Sequence, residues 1–245
     1  MNARRRVHVV LVRPENPSNV GAVARVVRNT GLAGLRLVRP GDWRTLECWR
    51  SAWGAHEVLE QAEVFEELAG ALHGAAYVAA LSGRADAERP LLDVREMALE
   101  IAGLGAEQDA CLVFGPETSG LSSDELLLCG RPTRIPAHPE QPSLNLSHAA
   151  MVACYEVYRA LAARPGATAL RATHDQKQAL LGLWLQGLQG VEALPKGDLR
   201  GLREWRRFFG RLDLTPRELS LLSHVARKMA ARSAAPPVEA DRVLD

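Results

Sequence analysis

Residues 7–27 read Val-His-Val-Val-Leu-Val-Arg-Pro-Glu-Asn-Pro-Ser-Asn-Val-Gly-Ala-Val-Ala-Arg-Val-Val, and they pass from strand to turn to helix within one segment. The mostly apolar run Val7–Val12, stopped by Arg13-Pro14, has the length of a buried strand. Pro14 to Asn19 is turn chemistry. From Val20 the period lengthens: Val20, Val23, Ala24 and Val27 fall at i, i+3, i+4 and i+7 and make one apolar helix face. Asn19 is the expected N-cap and Gly31 the expected C′ residue, with Gly21, Arg25, Arg28 and Asn29 on the opposite face.

The same alternation continues outward. Strands are expected at Leu35–Val38, Ala75–Leu81, Ala110–Phe114 and Thr133–Ile135. Helices are expected within 43–57, over Val64–Leu72, and from Asp93 to Ala102. Another opens at the capping box Ser122-x-x-Glu125 and runs to Cys129, and a long one covers Ser147–Ala163. That order predicts an α/β domain on a mostly parallel sheet, with ligand held by loops at the strand C-termini. Arg164-Pro165-Gly166 ends it, so a first domain over residues 1–164 is followed by an extension over 165–245.

The extension carries helix signals only. Thr173-x-x-Gln176 is a capping box, Asp198 caps a helix with Leu202, Trp205 and Leu212, and Thr215-Pro216-x-Glu218 combines cap, N1 proline and capping box. Trp184, Trp205, Phe208 and Phe209 are read as the core of this small unit, and the last dozen residues as a frayed tail. From Lys196 to Arg232 there are ten Lys or Arg against four acids, in a chain of net charge +1. That imbalance suggests a nucleic-acid surface and equally fits a solvated helix face.

Composition is that of a globular chain, and no apolar window reaches the roughly 18 residues of a membrane span. Met1 to Arg6 and the short apolar run after it do not make a secretory leader. Cys48, Cys111, Cys129 and Cys154 lack paired spacing and read as reduced cysteines of a cytoplasmic protein. Glycine signatures of dinucleotide enzymes, P-loop NTPases and nucleophile-elbow hydrolases are missing, and the seven histidines have no metal spacing. His8 reads as structural and His148 as a helix-start residue.

Three segments combine turn residues with an unexpected charge or amide. They are Asn19–Arg25, Val113–Leu121 (Val-Phe-Gly-Pro-Glu-Thr-Ser-Gly-Leu), and the stretch from Ile135-Pro136 through Pro139 and Pro142 to Ser143-Leu144-Asn145-Leu146-Ser147. Each alone also fits a capped helix, a glycine-bracketed turn or a rigid proline loop.

In this order and spacing they resemble the three motifs of the SPOUT superfamily, in its TrmH-like branch of RNA ribose 2′-O-methyltransferases. The likeness spans about residues 7 to 160, and residues 199 to 229 are similar to the helical extension of the TrmJ family. The resemblance implies a C-terminal trefoil knot, S-adenosyl-L-methionine as cofactor, a homodimer, and a tRNA anticodon-loop ribose, at position 32, as target. Carried over residue by residue, it implies catalytic roles for Arg25, Asn19, Glu117, Ser143 and Asn145. It implies cofactor contacts from Leu81, Ser82, Gly83, Gly115, Glu117, Gly120, Ile135, Leu144 and Asn145. The glycines are then expected to allow close backbone approach to the cofactor. RNA contacts are expected at Arg25, Arg28, Arg203, Arg206 and Arg207. Because a guanidinium keeps its proton at neutral pH, Arg25 is read mainly as a phosphate and ribose positioner rather than a literal base. A ribosomal-RNA methyltransferase of the same superfamily and a catalytically silent knotted RNA binder stand as alternatives.

Overall fold

The computed structural model describes residues 6–83, 91–163, 170–195 and 197–233. Seven strands form one sheet in the order β3-β2-β1-β6-β4-β7-β5. They are β1 (Val7–Val12), β2 (Gly34–Val38), β3 (Glu63–Phe65), β4 (Ala75–Leu81), β5 (Leu92–Asp93), β6 (Asp109–Phe114) and β7 (Arg131–Arg134). Every recorded pairing is parallel. Parallel strands are buried on both faces, which is why the sequence shows continuous apolar runs instead of alternation. Val9 and Leu11 enter one core with Leu112 and Phe114, while Val10 and Val12 enter the other with Cys111 and Val113.

The first face is covered by α1 (Pro17–Thr30), α5 (Val94–Ala102) and α7 (Leu146–Ala163), the second by α4 (Leu68–Ala71) and α6 (Ser123–Cys129). Two short helices, α2 (Leu46–Ser51) and α3 (His56–Glu60), pack beside α1. The capping boxes at Asp93/Glu96 and Ser122/Glu125 are formed, and Gly31 ends α1 in the left-handed region at φ 64°.

Four local expectations change. The N-cap of α1 is Asn16, whose side chain accepts from the Ser18 N–H, because Pro17 supplies a helix-ready φ at the first position. Gly21 does not share a solvent face with Arg25. A Cβ there would lie 2.1 Å from the Cys48 carbonyl oxygen, so glycine is what lets α1 and α2 touch. Within Val64–Leu72, residues 63–65 pair with β2 as the edge strand and only Leu68–Ala71 is helical. The sheet edge offers the segment ladder hydrogen bonds that outweigh helix propensity. The short strand near Thr133 lies one to two residues earlier than expected, at Arg131–Arg134.

Beyond the sheet, α8 (His174–Gly190), α9 (Leu199–Arg211) and α10 (Pro216–Ser233) share a separate cluster of Leu180, Leu181, Phe209 and Ala226, with Trp184 and Trp205 packed against it. Phe208 lies at the rim of that core, 45% exposed, with its ring edge-on to Trp205 and Phe209. The Arg164-Pro165-Gly166 boundary and the proposed frayed tail lie outside the described residues.

These helices seat against the N-terminal ends of the central strands. The Asp175 carboxylate accepts from the Gly74 N–H at 2.8 Å, just before β4. Gln108, just before β6, bonds the Arg171 backbone twice, at 2.6 and 2.9 Å. At the α6 terminus a Cβ on Gly130 would lie 2.5 Å from the Gly210 carbonyl oxygen, so two backbones meet directly. Arg131 and Arg171 both reach Asp213. Burial, with Arg131 close by, pushes the Lys177 amine down to about 8.

Candidate active site

At the opposite, C-terminal ends of β4, β6 and β7 lies a cavity of about 320 Å³. Its walls are Leu81, Ser82 and Gly83 after β4, the loop from Gly115 to Gly120 after β6, and Ile135 after β7. Ser143, Leu144, Leu146 and Ala149 close it from the turn into α7. Its size falls in the range of small-molecule clefts, and open α/β sheets bind ligands at this end. Eight of the nine residues expected around the cofactor line the cavity, and the ninth, Asn145, sits between two that do.

The β6–α6 loop folds tightly on itself. A Cβ on Gly115 would meet the Leu121 nitrogen at 2.3 Å, and Gly120, at φ 65°, donates its N–H to the Pro116 carbonyl at 2.8 Å. The loop's own packing and backbone therefore require glycine at both positions. At Gly83 an added Cβ would make only an ordinary contact, 3.6 Å from the Pro142 carbonyl oxygen.

A polar chain then ties the three segments together. The Glu117 carboxylate accepts from the Glu15 N–H at 2.8 Å, the Asn16 N–H at 3.2 Å and the Asn19 side-chain amide at 2.8 Å. Asn19 is 6% exposed, and its carbonyl oxygen accepts from the Asn145 amide at 3.2 Å. Asn145 in turn accepts from the Ser147 N–H at 2.9 Å, the Ser147 hydroxyl at 2.7 Å and the His148 N–H at 3.4 Å, which caps α7. Each amide has one end committed to each neighbour, so the chain has direction: carboxylate, Asn19, Asn145, helix terminus. Thr118 adds a bond from its hydroxyl to Glu15 at 2.6 Å.

Other candidates stand apart from this chain. Arg25 is exposed on α1, lines no part of the cavity and has no partner among the described residues. Arg28 faces Glu57 at 3.4 Å, with both side chains half exposed. Arg203 and Arg206 are exposed on α9, whereas Arg207 is half buried and donates to Glu204 at 2.8 Å. All three belong to the helical unit that docks at the far end of the sheet.

Sequence reading missed Phe114 and Ala149 in the cavity wall, because apolar residues at strand and helix ends look like ordinary core, and Pro142, which reads as a rigid loop residue. It also missed Glu15 as a partner of this loop. The signal was the turn run 14–19, which marks a loop without showing what it faces. Among the described residues no group of His, Cys, Asp and Glu could hold a metal ion. All four cysteines are buried and unpaired, and burial pushes the Cys111 and Cys154 thiols up to about 12.

Comparison with known proteins follows the same geometry. At 40% identity over 166 residues, the chain is similar to the tRNA (cytidine/uridine/adenosine-2′-O-)-methyltransferase TrmJ of Pseudomonas aeruginosa, across 66% of this chain and 63% of that protein. A TrmJ from Klebsiella pneumoniae is 38% identical over 152 residues, covering 62% of each. The chain thus spans a little under two thirds of the length of the curated relatives it matches. Among solved structures, TrmJ from Z. mobilis superposes with a TM-score of 0.76 at 28% identity, covering 91% of this chain and 98% of that one. A probable methyltransferase from Bordetella pertussis gives 0.60 at 33%, covering 65% and 98%. The model of the SpoU rRNA Methylase family matches residues 6–155, a span that contains β1, the whole cavity wall and the Glu117–Asn19–Asn145 chain, and on that match the chain belongs to this family.

Proposed function

We propose that the chain is an S-adenosyl-L-methionine-dependent RNA ribose 2′-O-methyltransferase acting on tRNA, in the anticodon loop at position 32. The observation that carries this reading is the cavity at the strand C-termini, walled by the second and third expected motif segments and tied to the first through the Glu117–Asn19–Asn145 chain. Its lining suits an adenosine-bearing ligand: apolar Leu81, Ile135, Leu144 and Leu146 for a flat ring, and peptide groups of Ser82–Gly83 and Gly115–Gly120 for its polar edges. Bound there, S-adenosylmethionine would supply an electrophilic methyl carbon on a sulfonium.

The work left to the protein is alignment. Leu81, Ser82, Gly83, Gly115, Gly120, Ile135 and Leu144 hold the cofactor. Glu117 keeps the β1–α1 and β6–α6 loops at one spacing, and Asn19 and Asn145 transmit that spacing to α7. Ser143, exposed at the cavity mouth, offers a hydroxyl to the ribose. Arg25 neutralises the phosphate beside the target and orients the 2′-OH, and the proton leaves to solvent or substrate phosphate rather than to a guanidinium. Arg28, Arg203, Arg206 and Arg207 add phosphate contacts.

The finer architecture belongs to the same proposal. A trefoil knot is supported by residues 142–144, which return after β7 to lie beside Gly83. Division into a methyltransferase domain over 1–164 and a basic helical extension over 165–245 is supported by the third core, whose members all lie beyond residue 170. Homodimerisation is supported by one face of α7, where Met151, Tyr155 and Tyr158 are 38, 48 and 49% exposed. A cytoplasmic site of action fits a tRNA substrate, and among the described residues no helix is long and apolar enough to cross a membrane.

Calorimetric titration with S-adenosylhomocysteine, run beside methylation of bulk tRNA and rRNA, tests the reading. Binding plus label confined to tRNA is the expected result. Absence of binding would end it, and label in rRNA alone would move the substrate to ribosomal RNA, as the family's description has it.

A further inference from the structure

Arg13 ends β1 with φ 46°, a left-handed backbone that a long side chain seldom adopts. Its guanidinium grips Glu125 with two bonds, Nη1 to Oε1 at 2.5 Å and Nη2 to Oε2 at 3.1 Å. This fork-to-fork geometry is the strong form of an arginine–carboxylate pair. Glu125 is itself fixed, since its Oε2 also accepts from the Ser122 N–H at 2.8 Å in the capping box that starts α6. Arg39 offers a control within the same molecule. It ends β2 with the same φ of 46° and likewise donates its N–H to the next strand, yet among the described residues its side chain bonds only the Glu66 carbonyl. Left-handed arginines thus follow two neighbouring strands, and only the one beside the candidate site reaches a carboxylate on another loop–helix unit.

What that pair joins is informative. Two residues past Arg13 the chain reaches Glu15, Asn16 and Asn19, all bound to Glu117, and Glu125 stands one helix turn past the cavity loop that carries Glu117. The β1–α1 and β6–α6 segments are therefore clasped at two points, by Glu117 at the cavity and by Arg13–Glu125 behind it.

We propose that Arg13 and Glu125 are a positioning pair, which sets the angle at which α1, and Arg25 with it, is presented to the cavity. The inference rests on the methyltransferase reading above. Neither residue lines the cavity, so the pair acts through the α1 segment and not on the cofactor.

Three variants test it. Arg13→Gly suits the left-handed backbone and removes the guanidinium alone; Glu125→Gln keeps a capping oxygen and removes the charge; Arg13→Lys keeps the charge and loses the fork. For the first two the expected result is a fall in kcat of about 10-fold, as for a small misalignment of a reacting group. KM for tRNA and Kd for S-adenosylhomocysteine stay within about twofold, and the double variant is no worse than either single one. Arg13→Lys recovers part of the loss. Hydrogen exchange in the free protein supplies a readout independent of activity: backbone protection over residues 14–21 falls in both variants while that over 75–81 holds. Unchanged kcat and unchanged protection would overturn the pair's role, and so would parallel losses of cofactor affinity, protection over 75–81 and kcat, which mark a merely structural bridge. A wild type that binds no S-adenosylhomocysteine would instead overturn the methyltransferase reading, whatever the exchange pattern.

Discussion

The two ends of the sheet are held by different physics. At the C-terminal ends the contacts are directional hydrogen bonds among loops, centred on Glu117, around an open cavity. At the N-terminal ends the hydrogen bonds of Asp175 and Gln108 are joined by close-packed backbone at Gly130–Gly210 and ion pairs of Arg131 and Arg171 with Asp213, beneath the core of α8–α10. The cavity end is thus held by side-chain bonds around open space, and the other end by backbone packing as well as polar contacts. The division suits an α/β enzyme, whose loops carry the chemistry on a scaffold stabilised elsewhere.

Changes at each end should therefore separate activity from stability. The largest effect is expected for Arg25→Ala, which removes an exposed group with no partner among the described residues. Transfer to tRNA should drop by about 10²-fold or more, with cofactor affinity and melting temperature unchanged. Single-turnover methylation and calorimetry together would read it, and full activity would remove Arg25 from the site.

Gly130→Ala should behave in the opposite way. The new Cβ would press on the Gly210 carbonyl oxygen at 2.5 Å, in a residue at φ 81°. A loss of about 2–4 kcal/mol is expected in urea unfolding, with S-adenosylhomocysteine binding retained below the transition. If cofactor binding disappears while the fold persists, the two ends are not independent.

Glu117→Ala falls between these. It strips an acceptor from two backbone N–H groups and the Asn19 amide, so about 1–3 kcal/mol of stability and roughly 10-fold in cofactor affinity should be lost. Isothermal titration of this variant beside Asn145→Ala would show whether the chain from Glu117 to α7 acts as a unit, because a coupled pair is non-additive.

The smallest effect concerns acid. Burial, with Arg36 nearby, pushes His8 down to about 4, and burial, with Lys177 nearby, does the same to His174. Both folded values lie below the unfolded value of 6.5, so the unfolded chain binds more protons between pH 6.5 and 4. Stability should therefore fall as pH drops through that window, and these groups contribute no slope above it. His8 is neutral at pH 7, so its 3.7 Å approach to Asp109 is not an ion pair there. His174→Gln should lower the midpoint of acid unfolding by a few tenths of a pH unit, followed by circular dichroism. An unmoved midpoint would exclude His174 from the acid response.

Much of the scaffold was legible in the sequence because its determinants are local. The runs at Val7–Val12, Ala75–Leu81 and Ala110–Phe114, the capping boxes at Ser122 and Thr173, and Gly31 after α1 all act on neighbours a few residues away. Three motif segments were visible as unusual turns; two of them wall the cavity and the first joins them through Asn19. Where local reading failed, a distant partner had decided. Residues 63–65 became a strand because β2 offered an edge, and Gly21 became buried because Cys48 lies against it.

The sequence by itself determined the parallel α/β plan, the helical extension and the residue types available for chemistry, since periodicity, caps and composition are properties of adjacent residues. Only the tertiary structure decided that Asn19 joins Glu117 to Asn145, across separations of 98 and 126 residues, and that the basic helices dock at the far end from the cavity. Such contacts depend on strand order, and strand order is set by how the whole sheet buries its two faces.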